Sequence, residues 1–202
     1  MVVITISGLH GTGKTTHARF LAERFGLRYV SAGEIMRRMA KERGMSLEEF
    51  SRIAEESPSI DKQIDERMIL EAEMGNVVLD GRLTAWMARE KADIKIFLTA
   101  PLNVRVRRIA ERENKSIEEA LKETVIREES EKKRYREIYG IDAEDYSVFD
   151  IVVNTALWNE ETVKKALEFL VEAYLASSSR GEASETARNA ESKRDGGEVK
   201  WR

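Results

Sequence analysis

Between residues 8 and 15 the chain reads Gly8-Leu9-His10-Gly11-Thr12-Gly13-Lys14-Thr15. This is a full match to the phosphate-loop pattern, in which four free positions separate a glycine from Gly-Lys-Ser/Thr. The run before it, Val2 to Ile6, is β-branched and nearly all apolar, as expected of a strand buried on both faces of a parallel sheet. After it, Ala18, Leu21, Ala22 and Phe25 recur at helical spacing. A glycine-rich turn from strand to helix lets backbone N–H groups curl around a phosphate, and the helix N-terminus adds its partial positive charge. The pattern implies a nucleoside triphosphate whose phosphates are cradled by Gly8, Leu9, His10, Gly11, Thr12, Gly13, Lys14, Thr15 and Thr16. Lys14 is expected at the β- and γ-phosphates and the Thr15 hydroxyl on Mg²⁺. His10 occupies a variable position of the loop and is expected to have no catalytic role. His17 reads as a packing or surface residue.

Further along, short apolar runs alternate with helical patterns. Arg28-Tyr29-Val30 is a second strand ending in Ser31, and Val77 to Asp80 is a third after the Gly75-Asn76 stop. Ile94 to Leu98 is a fourth and Asp150 to Asn154 a fifth. Helices are predicted at about 33–43, 46–56, 59–74, 102–113 and 116–139. A last one starts at Asn159, with Val163, Ala166, Leu167, Leu170 and Tyr174 on its apolar face. Ser46 with Glu49, and Ser116 with Glu119, are capping-box pairs. The alternation predicts an α/β fold, a five-stranded parallel sheet covered by helices on both faces. The helices between strands two and three, and the polar segment between strands four and five, exceed what a crossover needs and read as functional inserts.

Composition narrows the classes. The 202 residues are 42% hydrophobic, 35% charged and carry a net charge of -3, with no cysteine and two histidines. That excludes a disulfide framework, a cysteine-ligated metal and a thiol nucleophile, and leaves a histidine metal site poorly supplied. The near-neutral charge speaks against a general nucleic-acid binder. The N-terminus does not read as a secretory signal, and no apolar run is long enough to span a membrane, so a cytoplasmic location is expected. Glutamine occurs once, at Gln63, and the charge-rich composition resembles that of a thermophile's protein. From Ser177 the sequence loses apolar periodicity, and residues 177–202, with Trp201 near the end, are expected to be a disordered, solvated tail.

Two strand ends carry further chemistry. Ser31-Ala32-Gly33-Glu34-Ile35-Met36-Arg37 follows strand two, and Asp80-Gly81-Arg82 closes strand three. Ligands of doubly wound sheets gather at the carboxyl ends of strands. Arg37, four residues into a helix, can face a phosphate there, and Asp80 can hold Mg²⁺ through water. Gly81 is expected to admit the acceptor closely to Arg82. Arg105, Arg108 and Arg112 share one face of the helix at 102–113, opposite Leu102, Val106 and Ile109, while Arg127 and Arg134 share a face of the next helix. A GTPase reading fails, because Asn114-Lys115-Ser116-Ile117 lacks the aspartate of the guanine-reading motif.

Together with the phosphate loop, these motifs resemble the nucleoside monophosphate kinase family, whose adenylate and cytidylate members carry Ser/Asp-x-Gly-x-x-x-Arg after strand two and Asp-Gly after strand three. The resemblance covers about residues 1–176. It is greatest to the archaeal-type cytidylate branch, through Ser31 to Phe50, Ile60 to Arg67 and Arg127 to Asp142. It implies γ-phosphoryl transfer from ATP, with Mg²⁺, to CMP and dCMP. It also implies an acceptor-binding insert at about 34–74, a lid at about 111–134, Arg108 near the donor base and Arg112 near the phosphates. Lys14, Arg112, Arg127 and Arg134 are then the expected catalytic set. Ser31, Gly33, Arg37, Asp61, Asp65, Asp80, Gly81 and Arg82 are the acceptor-site candidates. Asp61 and Asp65 lie on one helix face and suit the amino edge of cytosine. Spacing alone does not separate CMP from UMP or AMP. Another small-molecule kinase, or a non-catalytic nucleotide-binding protein, stays open at this point. The expected unit is a monomer acting on small molecules, with no membrane or nucleic-acid partner.

Overall fold

The computed structural model describes residues 1–194, with side chains to Ser178 except that of Glu48. Two compact units are distinguished, Met1–Lys164 and the segment from Lys165 on. The first holds the sheet and the whole candidate site. Its strands are β1 (Val3–Gly8), β2 (Arg28–Ser31), β3 (Val77–Asp80), β4 (Ile94–Thr99) and β5 (Ile151–Asn154), all parallel, in the order β2-β3-β1-β4-β5. Every residue of β1 and β3 is buried, which requires cover on both faces of the sheet.

Register decides what meets at the sheet's carboxyl edge. Asp80 pairs with Ile6 on one side and with Ser31 on the other, so the ends of β1, β2 and β3 lie abreast. Helix α1 (Lys14–Arg24) leaves the phosphate loop and buries Ala18, Leu21 and Ala22. Helices α2 (Ala32–Glu42), α3 (Leu47–Glu56) and α4 (Pro58–Met74) form the insert, packed around Phe50, Ala54, Ile60 and Ile64. Burial of Phe50, Ile60 and Ile64 stabilises by roughly 1.5–3 kcal/mol each. A short helix, α5 (Thr84–Met87), follows β3 and carries no sequence pattern long enough to foresee.

Helix α6 (Leu102–Glu113) buries Val106 and Ile109. It ends at Asn114, whose left-handed backbone (φ 53°) stops it, and Ser116 opens α7 (Ile117–Tyr139) with a complete capping box. Ser46 caps α3 in the same way. Helix α8 runs Glu160–Arg194 and so extends into the segment read from sequence as a tail. Along α8, Val163, Leu167 and Val171 are buried, while Leu170 and Tyr174 are exposed. Trp201 and the other residues from 195 on lie outside the described residues.

Candidate active site

The phosphate loop is shaped by its glycines. Gly11 and Gly13 take left-handed backbones (φ 78° and 87°), where a side chain would be strained. A Cβ at Gly11 would lie 2.6 Å from the Arg105 carbonyl oxygen, and one at Gly8 2.3 Å from that of Leu98. The loop is thus pressed onto α6 and β4. Thr12 Oγ1 donates to the Leu9 carbonyl at 2.8 Å, and Lys14 Nζ reaches the same oxygen at 2.8 Å. Burial lowers the Lys14 pKa to about 8 against the opposing pull of Asp80. A polyanion at this position would restore the charge that burial disfavours.

At the end of β3, the buried Asp80 carboxylate accepts from Thr15 Oγ1 at 2.8 Å and from the Tyr29 hydroxyl at 3.0 Å, both on Oδ2. A hydroxyl beside a carboxylate is an all-oxygen donor set of the kind Mg²⁺ takes alongside water and phosphate. On the other flank, Thr155 after β5 ties the donor side together. Its hydroxyl donates to the Thr12 carbonyl at 3.0 Å and accepts from Arg108 Nη1 at 2.9 Å. Arg108 Nη2 also donates to the Thr155 carbonyl at 2.8 Å.

Helix α7 reaches the phosphate loop through two acids. Glu128 binds Arg105 with both oxygens, at 2.6 and 3.2 Å, and accepts the His10 backbone N–H at 3.1 Å. Glu131, 6% exposed, accepts from Arg82 Nη1 at 2.8 Å, Arg127 Nε at 3.1 Å and His10 Nε2 at 3.0 Å. Burial pushes its carboxyl upward, but His10, Arg82 and Arg127 outweigh this and hold it well below the usual range. Towards the insert, Ser130 donates to Glu55 at 2.6 Å, Arg134 to Asp61 at 3.0 Å and Tyr139 to Asp65 at 2.6 Å. Burial raises Asp65 to about 6.

These elements enclose a cleft of about 1130 Å³. Every residue named from sequence as a site candidate lines it except Gly8 and Leu9, whose parts are structural. Arg37 is exposed and has no carboxylate partner among the described residues, which leaves it open to an anion. Ser31 caps α2 by accepting from the Glu34 N–H, and a Cβ at Gly33 would lie 3.5 Å from Arg37 Nη1.

Other placements differ from expectation. Gly81 lines the cleft and is also needed for packing: a Cβ there would meet Thr84 Cγ2 at 2.9 Å and Ala32 Cβ at 3.0 Å, between β3, α2 and α5. Arg112 stands at the rim, its side chain 66% exposed and paired with neighbouring Glu113, away from Lys14's contacts. Arg105, grouped with Arg108 and Arg112 by periodicity, is 4% exposed and fully engaged by Glu128, Ala100 and His10. His10 contacts two acids of α7, Glu128 through its backbone N–H and Glu131 through Nε2. Sequence reading also passed over Tyr29, Thr155 and the exposed Trp158, which lines the donor side. His17 is buried, with no partner for Nδ1 among the described residues.

The sequence of residues 3–157 matches the model of the cytidylate kinase-like family. The chain belongs to that family. Within the cytidylate kinase-like family, a cytidylate kinase of Staphylothermus marinus is 54% identical over 175 residues, covering 87% of this chain and 99% of its own. One from Methanocaldococcus jannaschii is 52% identical, covering 80% and 93%. Among solved structures, a shikimate kinase of Bacteroides thetaiotaomicron superposes with a TM-score of 0.58 at 16% identity, covering 85% of this chain and 98% of its own. One from Aquifex aeolicus gives 0.52 at 22%, covering 86% and 99%. At such identities the likeness is one of fold, the α/β phosphate-loop kinase fold that this family member has.

Proposed function

We propose that the protein is a CMP kinase, transferring the γ-phosphoryl group of ATP to CMP or dCMP and releasing ADP and CDP or dCDP. The observation that carries this reading is one cleft lined both by the phosphate-loop residues Lys14 and Thr15 and by the arginines Arg37 and Arg82 that follow β2 and β3. Relatives about half identical to this chain bear the name cytidylate kinase.

Phosphate-to-phosphate transfer needs no general base, because the attacking oxygen is already anionic near neutral pH. The obstacle is repulsion between two polyanions, and the protein's contribution is positioning and charge. The loop N–H groups and Lys14 hold the donor's β- and γ-phosphates. Thr15, and Asp80 through water, would hold Mg²⁺, which neutralises phosphate charge when bound. Arg37 and Arg82 orient the acceptor phosphate, and Arg127, already beside Arg82 at Glu131, is placed to follow the transferring group. Arg108 flanks the donor, while Arg112 and Arg134 join the phosphates only if the lid closes further. Asp61 and Asp65, now bonded to Arg134 and Tyr139, are our candidates for reading the cytosine amino group.

In this reading residues 1–176 are the kinase domain. The insert at 34–74 and the lid at 111–134 close over both nucleotides and exclude water. The enzyme acts as a cytoplasmic monomer on small molecules. Among the described residues no helix is long and apolar enough to cross a membrane. An ADP-release assay with MgATP and, in turn, CMP, dCMP, UMP, AMP, GMP and shikimate tests it, with products identified by chromatography. Fastest turnover with CMP is expected. Preference for another acceptor would overturn the substrate, and no acceptor-dependent turnover would overturn the enzyme.

A further inference from the structure

Glu131, on α7, takes donors from Arg82 after β3, from Arg127 on its own helix and from the phosphate loop. Its carboxylate lies 2.8 Å from Arg82, 3.1 Å from Arg127 and 3.0 Å from the phosphate-loop residue His10, and it is 6% exposed. A carboxylate that takes several N–H donors from guanidinium groups offers them what a phosphate group offers: several anionic oxygens in short reach. Arg82 has no other acceptor within hydrogen-bond range among the described residues, and its side chain is 11% exposed. While it serves Glu131, that N–H cannot serve a substrate.

We propose that Glu131 is an internal stand-in for the acceptor phosphate, latching α7 onto the phosphate loop in the empty enzyme and giving up Arg82 and His10 when a nucleotide phosphate arrives. This rests on the reading of the cleft as a monophosphate kinase site. Glu131 is thus a positioning residue, acting through the two arginines. The neighbouring pair Glu128–Arg105 does not exchange, because Arg105 also donates to the Ala100 and His10 carbonyls and is held from three sides. The contact at Glu131 differs, since each of its three donors faces the cleft. Binding is then an exchange of one anion for another, and the latched population lowers apparent acceptor affinity by the fraction that is not competent. The same latch keeps the arginines from collapsing onto ATP alone, so acceptor arrival is coupled to lid movement.

The carboxylate only accepts, so His10 Nε2 must carry the hydrogen in this contact. That gives a direct reporter in the unmodified protein, which has only one other histidine, His17. In ¹H–¹⁵N spectra of the full chain, a protected His10 Nε2–H is expected without ligand and is expected to disappear on titration with CMP or with inorganic phosphate. Its absence in the ligand-free protein, or its survival at saturating CMP and phosphate, would overturn the latch. Steady-state kinetics of Glu131→Gln supply the second arm. The neutral isostere should lower KM for CMP by about five- to tenfold with kcat changed far less, the latched fraction having been removed. If Glu131 only orients the arginines or only supports the fold, KM instead rises or stays put while kcat falls. Should this variant fail to fold, the histidine titration decides alone. Loss of CMP turnover in the parent enzyme would strike the functional reading, whereas the phosphate titration would still test the latch.

Discussion

Thr15 Oγ1 donates to Asp80 Oδ2 at 2.8 Å and so ties the first turn of α1 to the end of β3. The pair holds together two groups that are far apart in sequence and both suited to one hard cation. Asp80→Asn keeps the size and the hydrogen-bond acceptor but removes the charge. It should lower kcat/KM by about 10- to 100-fold at fixed Mg²⁺, with partial recovery as Mg²⁺ is raised. Thr15→Ser should behave nearly as the parent. An Mg²⁺ titration of all three would decide, and an unchanged metal dependence in Asp80→Asn would remove Asp80 from the metal site.

Lys14 is costly to hold in the empty protein, where burial depresses its pKa to about 8. Removing it should therefore separate stability from activity. Lys14→Met is expected to reduce kcat/KM by about 10³-fold while leaving Tm unchanged or higher. A clear drop in Tm, or near-normal turnover, would contradict the phosphate-loop role.

Asp65 gives the fold a pH dependence of known sign. Its carboxyl titrates at about 6 in the folded chain against an ordinary 3.8, so the folded state holds the proton more tightly. Stability from this group is present below about pH 4 and is lost as pH rises through 6, by at most about 3 kcal/mol. Asp65→Asn, which can still accept from Tyr139, should remove this component. Thermal melts of both proteins from pH 4.5 to 7.5 would test it, and parallel Tm curves would refute it.

Gly81 separates packing from ligand access. Its missing Cβ is needed by Thr84 and Ala32, at 2.9 and 3.0 Å. Gly81→Ala should destabilise by about 1–3 kcal/mol and leave KM for the acceptor unchanged in the folded enzyme. A raised KM at unaltered stability would return this glycine to the substrate's side of the cleft.

What could be read from sequence was whatever short-range pattern dictates. The phosphate loop, β3 at Val77–Asp80 and both capping boxes appear where local rules place them. Family membership follows from the same segments, since residues 3–157 carry the match. The polar partnerships of α7 were not legible. Glu128 and Glu131 sit among other acids and bases on a helix whose pattern suits a solvated surface, and nothing within one turn distinguishes an acid facing water from one facing His10. That distinction is made by residues 118 and 121 positions away. Arg105 was grouped with Arg108 by periodicity for the same reason. A helical wheel gives direction, but only tertiary packing says what stands there.

The joint between α6 and α7 has one more consequence. Asn114 turns the chain with a left-handed residue, Lys115 N–H closes onto the Ala110 carbonyl, and Ser116 caps the next helix with Glu119. Each helix end therefore keeps its backbone groups bonded without help from the other. Ala120 of α7 shares one buried cluster with Val106, Ile109 and Ala110 of α6. A movement of α7 that keeps this cluster intact carries the end of α6 with it and breaks no helical turn. The heat-capacity change of such a movement should accordingly be small. Turnover limited by this motion would follow a nearly straight line against reciprocal temperature, instead of the curved one that local unfolding produces.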